Sequence, residues 1–213
     1  MKTILCVLLP LAAIVVGLCF ALSKSEAKPE RDLQTAVNMH KILVVYYSRT
    51  GQNYVSGDIV DLPVGNTAAV AGIIREKTGT DVFEIQTVKP YPTDYRETTE
   101  VAKQELREQA RPEIVGAVEN ISQYDTIILG YPNWWGTMPM AVFSFLQKHD
   151  LAGKTVLPFC THEGSGMGSS VKDLKKALPQ SLIKPGLPIK GTRVHRKDAA
   201  IPAEVEAWLK ENL

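Results

Sequence analysis

The sequence predicts an α/β fold: a three-layer sandwich in which a five-stranded parallel sheet lies between helices. Two observations carry this. Over residues 40–213, short apolar runs and helix-patterned stretches alternate five times, as strand–helix–strand crossovers on one parallel sheet require. The apolar runs are also continuous rather than alternating, the pattern of strands covered on both faces. The chain has 213 residues, 45% hydrophobic and 22% charged, which suits one domain with a full core.

The first strand is "KILVVYY" (41–47). "NTAAVAGIIREKTG" follows as a helix, with Asn66 as its cap, Val70, Ile73 and Ile74 as its apolar stripe and Gly79 as its stop. "DVFEIQ" (81–86) is the second strand, and "KPYPTDY" is a turn. Tyr95, Thr99, Ala102, Leu106 and Ala110 then fall on one helical face that ends before Pro112. "DTIILGY" (125–131) is the third strand, and "PMAVFSFLQKH" is a helix with Pro139 in its first turn. "KTVLPFC" (154–160) is the fourth strand. "SSVKDLKKAL" opens on a Ser170-x-x-Asp173 capping pair. A weaker fifth strand lies within 182–194. The last helix starts near Pro202 and buries Val205, Trp208 and Leu209.

Residues 1–27 have another character. Lys2 precedes nineteen uncharged residues, Ile4 to Leu22, and Ser25-Glu26-Ala27 has the small-x-small form of a cleavage site. This describes an export signal and a periplasmic or other extracytoplasmic location. An uncleaved membrane anchor over 4–22 is the alternative. A lipoprotein reading fails at Leu18, because the residue before the modified Cys19 should be small. Residues 28–39 are polar and read as a flexible linker, leaving 40–213 as the folded domain. Cleavage would remove Lys2, Lys24 and Glu26, leaving equal numbers of acids and bases. It would also leave Cys160 alone, so the core rather than a disulfide must hold the fold. With a net charge of +1 and no block of like charges, nucleic acid is excluded as the main partner.

In a parallel sheet of this kind, ligands bind beyond the carboxyl ends of the strands. Three loops leave that edge. "SRTG" offers the Ser48 and Thr50 hydroxyls and a flexible Gly51, a natural anion cradle before a helix. It lacks the lysine of a triphosphate-binding loop, which argues against ATP or GTP. "YPNWWGTMP" (131–139) holds two of the three tryptophans, and an indole face suits a flat aromatic ring. The competing view has both indoles covering helix ends. "CTHEGSGMGSS" (160–170) can wrap a ligand edge with backbone N–H groups. In that loop His162 either donates to a ligand oxygen or braces the loop. Glu163 reads as solvated, and Cys160 as a packed small hydrophobe.

Taken together, these motifs resemble the flavodoxin-like family over roughly residues 40–213. "SRTG" and "NT" match the two halves of its phosphate loop, Thr/Ser-x-Thr-Gly-Asn-Thr. "GYPNWWGTMPMAVFSFL" and "FCTHEGSGMGSS" are similar to the second and third loops of its bacterial, often exported branch. The resemblance implies strand order 2-1-3-4-5 and noncovalent FMN. It implies that Ser48, Thr50, Gly51, Asn66 and Thr67 hold the phosphate. Pro132, Asn133, Trp134, Trp135 and Gly136 would line the ring system. Thr161, His162, Gly164 and Ser165 would face its pyrimidine edge. No metal is expected, since His40, His149, His162 and His195 are scattered without ligand spacing.

Three functions follow. The first is a flavin electron carrier whose partner is a redox protein, although this neutral chain lacks the acidic field of carrier flavodoxins. The second is an NAD(P)H-dependent reductase of small quinone-like acceptors, in which His162 would stabilise charge on the reduced substrate. The third is a flavin-free binding protein that keeps the fold. A membrane enters only through an uncleaved N-terminal segment. The phosphate loop itself is interrupted by fourteen residues, Gln52 to Gly65. "YVSGDIV" within it reads as a small hairpin. The insertion is either a tolerated surface loop or a lid with Tyr54 near the ligand.

Overall fold

The computed structural model describes residues 32–213; the expected export or anchor segment, 1–27, lies outside them. Among the described residues, no helix is long and apolar enough to cross a membrane. Part of the expected linker is helical: α1, Leu33–Met39, is capped by the Asp32 side chain and buries Leu33, Ala36 and Val37. The polar appearance of 28–39 concealed these three residues, whose spacing makes one apolar face.

The main sheet holds β1 (Ile42–Tyr46), β4 (Asp81–Glu84), β5 (Thr126–Pro132), β6 (Thr155–His162), β7 (Leu182–Ile183) and β8 (Leu187–Lys190). The order is β4-β1-β5-β6-β7, with β8 also on β6, and every pairing is parallel. This is the 2-1-3-4-5 arrangement, with two short strands sharing the fifth position. The start of β6 takes β7 and its end takes β8. The insertion forms a separate antiparallel hairpin, β2 (Gly51–Val55) with β3 (Asp58–Leu62). Ser56 and Gly57 turn it with φ of 54° and 110°, the left-handed backbone of a two-residue hairpin turn.

Alternation along β1 divides the core. Leu43 and Val45 face one side, with Ile127 and Leu129 of β5, under Val142 and Phe145 of α4 (Met140–Lys148). Ile42 and Val44 face the other, under Val70 and Ile74 of α2 (Asn66–Thr78) and Val205 and Leu209 of α7 (Ile201–Asn212). Both sets are buried, which explains why the strand carries no polar alternate. Helix α1 joins the second side through Leu33 and Val37.

Several local expectations shift by a residue. Asn66 is the first residue of α2; Gly65 is its N-cap. Pro139 is the N-cap of α4 rather than a first-turn residue. On α3 (Tyr95–Glu108) the buried positions are Thr98 and Ala102, so Tyr95 and Thr99 turn toward the sheet edge. In α5 (Ser170–Ala177) the cap is Ser169, whose hydroxyl donates to Asp173 at 2.6 Å, while Ser170 donates to the Met167 carbonyl. The remaining short helix is α6, Gly191–His195.

Candidate functional site

Because β1, β5 and β6 are adjacent and parallel, the three loops meet at one edge. The phosphate-loop halves join directly. Gly65 passes so close to the first half that a Cβ there would lie 2.3 Å from Ser48 Oγ and 2.4 Å from the Arg49 carbonyl oxygen. Ser48 Oγ accepts the Ala68 N–H at 3.0 Å, supplying the cap that Gly65 has no side chain to provide. The hydroxyl proton of Ser48 is then free to donate. Among the described residues, the N–H groups of Asn66 and Thr67 have no partner. They open a thirteen-residue helix, whose N-terminus favours an anion. Thr67 and Thr161 share a buried hydroxyl hydrogen bond of 2.7 Å, linking the first and third loops.

The second loop folds as a tight turn. Trp134 and Thr137 exchange backbone hydrogen bonds of 2.8 and 3.2 Å, with positive φ at Trp135 (54°) and Gly136 (85°). The two tryptophans thereby diverge. Trp134 stands edge-on to Tyr47 and Tyr91, at centroid distances of 5.4 and 5.1 Å. Trp135 is 50% exposed. Its indole N–H donates to the Thr99 carbonyl at 2.9 Å, and Lys103 Nζ lies 5.0 Å over its ring. The second and third loops are sewn together. Asn133 donates to the Gly166 carbonyl and accepts the Gly136 N–H, both at 3.0 Å. The Ser169 N–H donates to the Gly136 carbonyl at 2.7 Å. Gly168 is required here, since its φ is +53° and a Cβ would lie 2.1 Å from the Gly136 carbonyl oxygen.

Two adjoining compartments result. The smaller, about 140 Å³, has a mixed polar and apolar lining that includes Ser48, Asn66, Thr67, Pro132, Asn133, Trp134, Thr161 and His162. The larger, about 370 Å³, lies against α3 and is walled by Tyr95, Thr98, Thr99, Ala102, Trp134 and Trp135. Arg49, Asn53, Tyr95, Asn133 and Trp134 border both. Thus nine of the fourteen expected site residues line the cleft. Thr50, Gly51, Gly136, Gly164 and Ser165 do not: Gly51 begins the hairpin, and Thr50, Gly164 and Ser165 are exposed.

The hairpin bridges the cleft. At one side Tyr54 stacks on Tyr95 (6.3 Å, 26°), and Gln52 accepts the Tyr95 N–H at 3.0 Å. At the other, the Ser56 N–H reaches Glu163 Oε2 at 3.4 Å. Glu163 is not solvated as its sequence position suggested. Its Oε2 also accepts from Thr192 at 2.5 Å, and its buried Oε1 has no partner. His162 Nδ1 accepts the Gly164 N–H at 2.9 Å, so the neutral ring carries its proton on Nε2. Burial lowers its pKa despite the opposing charge of Glu163. Cys160 is fully buried and its thiol is pushed up to about 12 by burial, so it is a packed side chain rather than a nucleophile.

Arg49, Asn53, Tyr95, Glu163 and Gly191 also line the cleft, beyond the expected site residues. Topology could have found two of them. A helix that follows a parallel strand begins at the carboxyl edge, which places Tyr95 there, and Gly191 follows the end of β8 in the same way. Arg49 was visible as the cation inside the "SRTG" turn.

The chain matches the Flavodoxin family profile over residues 41–210. No curated protein sequence matches it. A solved protein assigned as a flavoprotein from Bacteroides eggerthii is 31% identical, with 76% of this chain and 98% of that one covered and a TM-score of 0.59. Another from Bacteroides uniformis is 27% identical, with 80% and 98% covered and a TM-score of 0.64. A flavoprotein from Lactobacillus acidophilus in complex with FMN shares the fold at 19% identity, with 75% and 99% covered and a TM-score of 0.55. The strand order, the joined halves of the first loop and the profile match over most of the domain lead to one assignment: the chain belongs to the flavodoxin family.

Proposed function

We propose that the protein binds FMN noncovalently and works as a redox flavoprotein. The observation that carries this is the closed cradle: unpartnered Asn66 and Thr67 N–H groups beside the Ser48 hydroxyl, in a gap that Gly65 keeps open. Ser48, Asn66 and Thr67 would hold the phosphate. Pro132, Asn133, Trp134, Thr161 and His162 would meet the rest of the molecule. Bound FMN supplies one- or two-electron transfer, and the protein sets its orientation and surroundings. His162, neutral at pH 7, would act as an Nε2–H donor rather than as a cation. Residues 1–27 are proposed to direct export, which N-terminal sequencing of the mature protein tests.

Within this reading, the covered cleft favours a reductase of small acceptors over a carrier. A carrier presents its flavin edge to a protein partner, whereas here the hairpin bridges the cleft and a 370 Å³ aromatic compartment adjoins the cradle. That volume is in the range of small-molecule sites. The visible spectrum of the purified protein tests the cofactor. Absence of a flavin band, together with no uptake of added FMN, would refute it. Anaerobic reduction with NADPH followed by a quinone then separates the two classes: rapid turnover identifies a reductase, and slow turnover a carrier.

A further inference from the structure

Among the described residues, Arg49 is the one lysine or arginine bordering either compartment, and it borders both. It makes no salt bridge among the described residues. Its guanidinium is instead held by backbone carbonyls: Nη1 donates to Gln52, and Nη2 lies 2.8, 2.6 and 3.4 Å from those of Pro92, Thr93 and Asp94. A guanidinium carries five N–H donors, so Nε–H and one Nη1–H remain unused. Burial pulls its pKa below the ordinary value, with the charges of Asp94 and Asp61 among the opposing influences. A half-buried cation fixed by dipoles and lacking a carboxylate is poised for an anion from outside the chain. Among the described residues, Glu163 is the only acid on either lining, and none lines the aromatic compartment.

We propose that Arg49 selects ligands that carry an anionic group at the junction of the two compartments. The group has two possible sources: the phosphate of the cofactor, which rests on the FMN reading above, or an acidic substituent on a planar acceptor beside Trp134.

The test uses the full chain, Arg49→Gln and Arg49→Lys, with two matched pairs of probes: FMN against riboflavin, and 1,4-naphthoquinone-2-sulfonate against 2-methyl-1,4-naphthoquinone. Dissociation constants come from quenching of tryptophan fluorescence. Losing a charged hydrogen bond weakens binding by about tenfold or more. In one pair, the Gln variant should weaken the anionic member by that factor, leave the neutral member within about twofold, and be partly rescued by Lys. The pair that responds identifies the source. If both members weaken together, or neither pair responds, the proposal falls and Arg49 is a clamp on the loop before α3. Thermal melts report folding, and the Lys variant carries the test if the Gln variant unfolds. A wild-type chain that takes up neither flavin defeats the FMN reading, while the naphthoquinone pair still tests Arg49.

Discussion

Ser48 Oγ accepts the Ala68 N–H at 3.0 Å across the whole Gln52–Gly65 insertion. The contact makes one loop from two distant pieces of sequence, the loop proposed to hold the phosphate, and it depends on Gly65. Its φ is ordinary (−66°), so the need for glycine is one of space: a Cβ would lie 2.3 Å from Ser48 Oγ and 2.4 Å from the Arg49 carbonyl oxygen. Gly65→Ala is expected to push the two halves apart, costing about 1–3 kcal/mol as overpacking does. FMN uptake should fall more steeply than the urea midpoint. Unchanged FMN affinity would show that the halves need not touch.

Tyr54→Ala tests the hairpin as a lid. The change removes the stack on Tyr95 while leaving the Ser56 and Glu163 contact in place. Such a pair contributes about 0.5–1.5 kcal/mol, and Tyr54 is 42% exposed, so the melting temperature should move little. Release of FMN, followed by stopped-flow displacement, should become several-fold faster. An unaltered release rate would return the insertion to the status of a passive surface loop.

The central strands β1, β5 and β6 were legible because they are buried on both faces, and a surface strand or a loop would not carry so continuous an apolar run. The hairpin was legible from Ser56-Gly57 between β-branched residues. Helix α1 was not legible because it carries only three buried residues, and their burial depends on a partner surface on α7 that is distant in sequence. The site divides in the same way. Ser48, Asn66, Thr67 and Trp134 belong to compact motifs, whereas Tyr95 and Asn53 enter through the packing of α3 and the hairpin. The burial of Glu163 was not legible because glutamates in loops are ordinarily solvated; its Oε1 is buried next to Gly191, where a Cβ would lie 2.7 Å from it.

That oxygen supports a third prediction. Glu163 places a carboxylate in the same small compartment as the α2 N-terminus, with Oε1 buried and unpartnered. Like charges in a partly desolvated site repel, and an unsatisfied buried acceptor is costly. Glu163→Gln removes the charge and keeps the shape. FMN should bind several-fold more tightly, and riboflavin, which has no phosphate, should change less. Weaker binding of both flavins would instead mean that the carboxylate accepts a hydrogen bond from the ligand.

Stability should fall on mild acidification because of two histidines. Burial lowers the pKa of His149, and Lys148 acts in the same direction; burial also lowers that of His162. The ordinary value is 6.5. As pH drops through it, the unfolded chain gains protons that the folded chain still refuses, so the unfolded state is favoured until the lowered folded-state values are reached. Below them the loss is complete. The geometry at His149 explains the refusal: Nε2 accepts the Val118 N–H at 2.9 Å and Nδ1 lies 2.9 Å from the Phe145 carbonyl. Protonating Nε2 would set one N–H against another. The carboxylates with lowered values, Asp125, Asp198, Glu204 and Glu206, titrate below this window, whereas Glu105, raised by burial, works in the opposite sense on acidification, so the comparison with His149→Gln isolates the histidine. Urea midpoints should therefore be lower at pH 5.5 than at pH 7.5, and His149→Gln, whose side chain does not titrate, should narrow the difference. A pH difference that His149→Gln leaves unchanged would overturn the assignment of His149 as a neutral acceptor.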